Sequence, residues 1–329
     1  MKDLLPALRR WQGANTAFAL ARVVSTWGSA PRRPGSWMAI NANGEIAGSV
    51  SGGCVEGAVR EEALHVLAGG PSCLLDFGID NESAWTVGLS CGGQLQVLIQ
   101  PFPESIGDEL LRTIEDGGAI TWHTALQDGV TTDTLERGPG PSSEPASRSA
   151  PVMHAALGAG HKITQHISRP ATILIIGGAD IAVHLVQLAH QLGFETILID
   201  PRAVFTDMER FPVPPTQIHT AWPQEVLPSL ALDTRTFAVL LTHDPKIDDP
   251  ALSLLFDSEV AYIGALGGRN TQEKRRKRLL DQGHNQSDVD RIHGPVGLKI
   301  GAATPAEIAV SILGQIISVR NQHGLGFAR

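Results

Sequence analysis

At 329 residues the chain is long enough for two domains, each with its own core. Its formal net charge of −8 argues against nucleic acid as a general partner, because phosphate binding needs a basic surface. No apolar run is long enough to cross a membrane, and three cysteines, Cys54, Cys73 and Cys91, are too sparse and odd a set for a disulfide framework.

Pro6, Arg9, Arg10 and Gln12 interrupt any signal-peptide core near the start, so a cytoplasmic location is expected. Residues 16–24 read as a first strand. The Pro- and Gly-punctuated turn that follows carries Arg32 and Arg33, which either bind an anion through their guanidinium forks or are solvated. Residues 37–40 read as a second strand, Asn43-Gly44 as a hairpin turn, and 45–50 as a strand leading into Gly48-Ser49-Val50-Ser51-Gly52-Gly53-Cys54-Val55-Glu56-Gly57. Apolar residues at Val55, Ala58, Val59, Ala63, Val66 and Leu67 predict a helix with one buried stripe, ended by Gly69-Gly70-Pro71. Cys54 then stands at or near a helix N-terminus. Unpaired amides and the helix dipole there favour a thiolate, and Gly52 and Gly53 leave room for a ligand to approach the backbone. The other reading is a small packing residue in a tight turn.

Residues 73–77 predict a strand with Cys73 as a buried core thiol. Gly88-Leu89-Ser90-Cys91-Gly92-Gly93-Gln94 mirrors the first loop ahead of a strand at 95–100. Two cysteine–glycine loops in one small domain carry more weight than either alone. No CxxC pair, HExxH or histidine cluster supports a structural zinc site. A helix is expected at 108–118. From residue 138 the composition shifts to Gly, Pro, Ser and Glu, so 138–170 reads as a linker or irregular connection between domains at 1–137 and 171–329.

The second half alternates strands and helices. A buried strand at 173–176, the turn Gly177-Gly178-Ala179-Asp180, a helix at 181–192 and a strand at 196–199 ending in Asp200 form a βαβ unit with an acidic residue where a dinucleotide fold would place it. The glycine fingerprint is broken: Ala179 and Asp180 bring a methyl group and a negative charge to the pyrophosphate path, so NAD or NADP is not expected to bind. Further strands at 217–220, 237–242 and 260–266 predict an open, doubly wound parallel sheet. Asn270 with Glu273, and Thr304-Pro305 with Glu307, read as capping boxes. Three loops stand at strand ends and are candidates to line a crevice. They offer Gly177 and Gly178; His243 and Asp244, as acid–base groups, polar ligands or simple caps; and Gly267 with Arg269, which suits phosphate. The run Lys274-Arg275-Arg276-Lys277-Arg278 reads as a solvated helix face, with a docking patch for an acidic protein as the minority reading.

Several separated motifs resemble the xanthine dehydrogenase accessory factor family, the XdhC/CoxI family. They are Gly28-Ser29-Ala30-Pro31-Arg32-Arg33-Pro34-Gly35, the Gly48-to-Glu56 stretch, Cys91-Gly92-Gly93, Thr242-His243-Asp244, Tyr262-Ile263-Gly264-Ala265-Leu266-Gly267-Gly268-Arg269 and His293-Gly294-Pro295-Val296-Gly297-Leu298. The resemblance implies an N-terminal α+β XdhC/CoxI domain and a C-terminal Rossmann-like domain. It implies a chaperone that binds the molybdenum cofactor (molybdopterin) transiently, assists its sulfuration with a cysteine desulfurase and delivers it to an apo molybdenum hydroxylase. A homodimer is expected. By position Cys54 is the leading cofactor contact, molybdenum ligand or sulfur-handling thiol. Gly52, Gly53, Glu56, Arg32, Arg33 and Cys91 are further cofactor contacts, together with Gly177, Gly178, Asp200, His243, Asp244, Gly267 and Arg269. The chain departs from the family pattern at Ala179-Asp180, where a Gly-His pair is expected, and at Lys299, where an acidic residue is usual. The competing readings are an NAD(P)-dependent oxidoreductase built on the Rossmann-like half and a pure assembly scaffold.

Overall fold

The computed structural model describes residues 4–28, 32–78, 93–138, 152–157 and 160–322. It divides into two units, the first holding the elements up to residue 169 and the second those from residue 170.

The first unit opens with α1 (Leu5–Gly13), β1 (Phe18–Trp27), β2 (Trp37–Asn41), β3 (Ile46–Gly48), α2 (Glu56–Leu67), β4 (Cys73–Phe77) and β5 (Gln94–Pro101). The strands form an antiparallel sheet in the order β3-β2-β1-β5-β4. Central β1 is buried on both faces, so it reads as a continuous apolar run rather than an alternation. Its Ala19, Ala21 and Val23 meet Val55, Val59, Ala63 and Val66 of the α2 stripe. Leu20 on the opposite face packs with Leu8 and Trp11 of α1.

Then follow α3 (Glu104–Glu115), β6 (Ile120–Gln127), β7 (Val130–Arg137), β8 (Val152–Leu157) and β9 (Gly160–Ile167). Their four strands form a second antiparallel sheet, β7-β6-β9-β8. Leu126, Val152 and Ile163 of this sheet close on Val24 and Leu98 of the first. Between the sheets lies Arg22, 1% exposed, donating to Gln100 Oε1 and Thr124 Oγ1 with its guanidinium 3.6 Å from the Trp122 ring centroid. Burial pushes its pKa down to about 9, with the charge of Asp133 opposing.

Two expectations are corrected here, and one hairpin is added. Residues 152–157 and 160–167 are not an irregular connection but the pair β8–β9, held by a continuous ladder from Val152↔Gln165 to Leu157↔Gly160. The β6–β7 hairpin was not anticipated, although Asp128-Gly129 joins it with positive φ at both residues, 50° and 77°, as a two-residue hairpin turn requires. The helix expected at 108–118 starts earlier, at Glu104, because Pro103 supplies its extended N-cap.

The second unit contains β10 (Thr172–Ile176), α4 (Asp180–Gln191), β11 (Glu195–Ile199), β12 (Gln217–His219), α5 (Pro223–Val226), β13 (Thr236–Leu240), α6 (Pro245–Phe256), β14 (Tyr262–Ala265), α7 (Arg269–Asp281), α8 (Gln286–Asp290), β15 (Ile292–His293) and α9 (Pro305–Gln322). Its described strand pairs are all parallel, in the order β12-β11-β10-β13-β14-β15. Numbered within the unit this is 3-2-1-4-5-6, the Rossmann order, with its switch point between β10 and β13. Residues of α4 and α9 cover one face of the sheet, and residues of α6 and α7 the other.

The Thr304–Glu307 capping box is present: Glu307 Oε2 accepts from the amides of Ala303 and Thr304, and Glu307 N–H donates to Thr304 Oγ1. The box expected at Asn270 is not, because α7 begins two residues earlier than that box requires, with Gly268 as its N-cap. The basic run on α7 is not a purely solvated face. Arg275 is buried against Asp248, Arg278 pairs with Asp249, and Arg276 with Asp290. No described helix is long and apolar enough to cross a membrane.

Candidate functional site

In the first unit, β3 ends at Gly48 and α2 begins at Glu56. Gly52 and Gly53 between them have φ of 85° and 123°, conformations that side chains rarely adopt. This curls the backbone so that successive N–H groups converge, forming an anion nest. The nest is filled by the chain itself. Glu56 Oε1 accepts from Ser49 Oγ at 2.6 Å and from the amides of Val50, Ser51 and Gly52 at 3.2, 2.9 and 3.0 Å. Glu56 Oε2 accepts from Ser51 Oγ at 2.5 Å and from the amides of Gly53 and Val55 at 2.8 and 3.2 Å. Partial burial alone would raise the pKa of this carboxyl; the Ser49 and Ser51 hydroxyls and the loop amides overturn that and hold it at about 2.

Cys54 sits in this loop, half-buried, with its amide donating to Ser51 Oγ at 3.0 Å. Val55 N–H donates to the same oxygen. Val55 is the N-cap of α2, so Cys54 precedes the helix by two residues. The amides that the sequence offers to a Cys54 thiolate are thus committed to Ser51 and Glu56. Beside them the loop is open at Gly53, where an added Cβ would meet nothing within 4 Å.

Cys73 is half-buried rather than in the core. Its thiol donates to Glu62 Oε1 at 3.6 Å, and burial together with that carboxylate pushes its pKa up to about 12. Cys91 lies outside the described residues. Arg32 is exposed and Arg33 half-buried in the turn before β2, where Ser36 N–H donates to Arg33 O.

In the second unit, the loops after β10 and β13 flank the switch point and touch: a Cβ on Gly177 would lie 2.7 Å from Thr242 Cγ2. Asp200, at 0% side-chain exposure, stands at the end of β11. Its Oδ2 accepts from Gly178 N–H at 2.9 Å and Arg202 Nη2 at 2.7 Å; its Oδ1 accepts from the amide and Nε of Arg202. Burial would raise its pKa, and the Arg202 guanidinium with the two amides outweighs burial and keeps the carboxyl below its ordinary value. Arg210 donates to Gly178 O at 2.6 Å and to Asp180 at 3.1 Å. A Cβ on Gly178 would overlap the carbonyl oxygen of Phe205. The segment from Arg202 to Arg210 therefore lies directly over the glycine turn, and this strap is what the sequence reading missed. Its signal was Arg202 two residues after Asp200, a spacing that lets the guanidinium turn back onto the carboxylate.

His243 is exposed with φ of 59°, a left-handed backbone uncommon outside glycine. Asp244 is the N-cap of α6, accepting from Lys246 N–H, so its carboxylate already has a capping role. Arg269, exposed, is the first residue of α7 after Gly267 and Gly268. The structure thus gathers Gly52, Gly53, Cys54 and Glu56 in one loop of the first unit. It gathers Gly177, Gly178 and Asp200 at the switch point of the second, with His243 and Asp244 in the loop that abuts Gly177.

Residues 173–316 match the family model described as the XdhC Rossmann domain, and residues 11–78 match that of the XdhC and CoxI family. A Bacillus subtilis protein named as a probable subunit of xanthine dehydrogenase is 30% identical over 319 residues, spanning 92% of this chain and 93% of that protein. The chain belongs to the XdhC and CoxI family. Another relative is PaoD of Escherichia coli, a molybdenum cofactor insertion chaperone by name, 26% identical over 97% of this chain and 87% of its own. The fold is shared with a crystal structure from Bacillus halodurans named as a xanthine dehydrogenase, with a TM-score of 0.76 at 23% identity over 97% of this chain and 96% of that one. Both motif regions read from the sequence, the Cys54 loop and the switch-point turn, fall within the matched stretches of the family.

Proposed function

We propose that this protein is a maturation factor for a molybdenum hydroxylase of the xanthine dehydrogenase type. It binds the molybdenum cofactor transiently, assists its sulfuration together with a cysteine desulfurase, and inserts it into the apo-enzyme without turnover of its own. Cys54 is the thiol that contacts the cofactor or handles the sulfur. The observation that carries this reading is a half-buried thiol in a glycine loop with open space beside it, in a chain that aligns over nearly its whole length with a molybdenum cofactor insertion chaperone. Sulfur is a soft donor suited to a metal of this kind. The proposal includes a cytoplasmic homodimer.

The oxidoreductase reading is disfavoured by Asp200. In a dinucleotide fold this acidic residue takes the ribose hydroxyls, but here both its oxygens are engaged by Gly178 and Arg202. NAD and NADP are therefore not expected to bind.

The test is mass spectrometry and metal analysis of the protein purified without air, alongside its Cys54→Ala and Cys73→Ser variants. A bound molybdopterin that is lost in Cys54→Ala and kept in Cys73→Ser is the expected result. A bound dinucleotide, or cofactor retention and client activation unaffected by Cys54→Ala, overturns the reading.

A further inference from the structure

Glu56 belongs to the same loop as Cys54, and its position argues against a direct role at the ligand. Seven donors from Ser49, Val50, Ser51, Gly52, Gly53 and Val55 converge on its two oxygens. A carboxylate accepts through about four lone-pair directions, so little capacity remains for an outside donor. The nest formed by these amides is of the kind that binds phosphates in other loops, and here the chain supplies the anion. Glu56 also governs Cys54 through one intermediary. Its Oε2 holds the Ser51 hydroxyl, and that hydroxyl oxygen in turn accepts the amides of Cys54 and Val55.

We infer that Glu56 is a positioning residue: its carboxylate takes the place of an external anion in the amide nest and so fixes the backbone that presents Cys54. This rests on Cys54 being the working thiol proposed above. No phosphate of a ligand enters the nest while Glu56 fills it. Gln is a poor replacement, because its NH2 group turns a donor towards donors. Asp is one methylene too short for the same reach.

The experiment uses the full chain with Cys73→Ser and Cys91→Ser, so that Cys54 is the sole thiol. Iodoacetamide alkylation is timed at one fixed neutral pH for Glu56, Glu56→Gln and Glu56→Ala, with and without formate, a carboxylate small enough for the vacated nest. Expected is alkylation of Cys54 about fivefold faster in Glu56→Ala, as for a loop that has lost a modest restraint, with Glu56→Gln in between. Formate returns Glu56→Ala towards the parent rate and leaves the parent unchanged. Molybdopterin retention, measured in the chain with all three cysteines in place, falls in Glu56→Ala and recovers with formate. If folded Glu56→Gln and Glu56→Ala alkylate at the parent rate, or formate has no effect, the positioning role is overturned. If Glu56→Ala fails to fold, the Glu56→Gln rate alone decides in the same way. If alkylation and rescue behave as expected but cofactor retention is unaffected, positioning stands and the Cys54 contact is what fails.

Discussion

Protonating Glu56 should loosen the first unit. Its carboxyl is held at about 2 in the folded loop, against an ordinary 4.5. At about 1.36 kcal/mol per pH unit this gap corresponds to a ceiling of about 3.4 kcal/mol. Gly52 and Gly53 are exposed and Glu56 only partly buried, so solvent screening brings the expectation down to about 1.5 kcal/mol. The sign follows from a depressed folded pKa: the contribution is complete above pH 4.5 and is lost as pH falls towards 2. The assay is urea unfolding of the full chain and of Glu56→Gln across that range, followed by tryptophan fluorescence. Other carboxylates titrate alike in both proteins, so the difference between them isolates Glu56. It should be about 1.5 kcal/mol at neutral pH and shrink towards zero in acid. A difference that stays constant with pH would refute the argument, because the loss would then come from shape and not from charge.

Gly178→Ala should destabilise the second unit by about 1–3 kcal/mol, since the new methyl group overlaps the Phe205 carbonyl and must displace the strap; thermal unfolding measures this, and an unchanged melting temperature would contradict the packing. Cys73 should stay unalkylated near neutral pH, because burial and Glu62 push its thiol up to about 12, and it should react only in strongly alkaline solution; a pH series of iodoacetamide labelling checks this. His154, held below its ordinary pKa by burial and by His161, is neutral in the folded chain where the unfolded chain is protonated. Stability should therefore fall as pH drops through 6.5, and His154→Gln should flatten that slope in denaturation curves measured from pH 7 to pH 5.

The second unit was legible because its signals are local. Ile173 to Ile176, Gly177 and the α4 stripe of Ala182, Leu185, Val186 and Ala189 follow one another in a single βαβ stretch. The second sheet of the first unit was not, because β7 carries Thr131, Thr132, Asp133 and Thr134 and buries almost nothing. Such a strand becomes visible only through its partner β6. The Cys54 loop was legible as a glycine turn before a helix, but not as a nest. The direction of its amides depends on the positive φ of Gly52 and Gly53, and its occupant on where the Glu56 side chain turns. In the same way Asp200 was placed correctly on the fold, while its engagement with Arg202 and the covering strap depend on tertiary folding of the 202–210 segment.

The double burial of β1 has a consequence for biosynthesis. Its partner β5 begins at Gln94, and the second sheet that closes over its Val24 face is complete only with β9. Trp37 Nε1 donates to Gln165 Oε1, a pair separated by 128 positions in the chain. While the ribosome is still making the intervening residues, Val24 of β1 lacks its partners Leu98, Leu126, Val152 and Ile163, and contacts this distant form slowly. The β10–α4–β11 stretch of the later unit needs only about two dozen residues to form its first parallel pair. The part of the chain made first thus waits for a closure of 128 positions before its second sheet is in place, and the nascent first unit is exposed to aggregation until then.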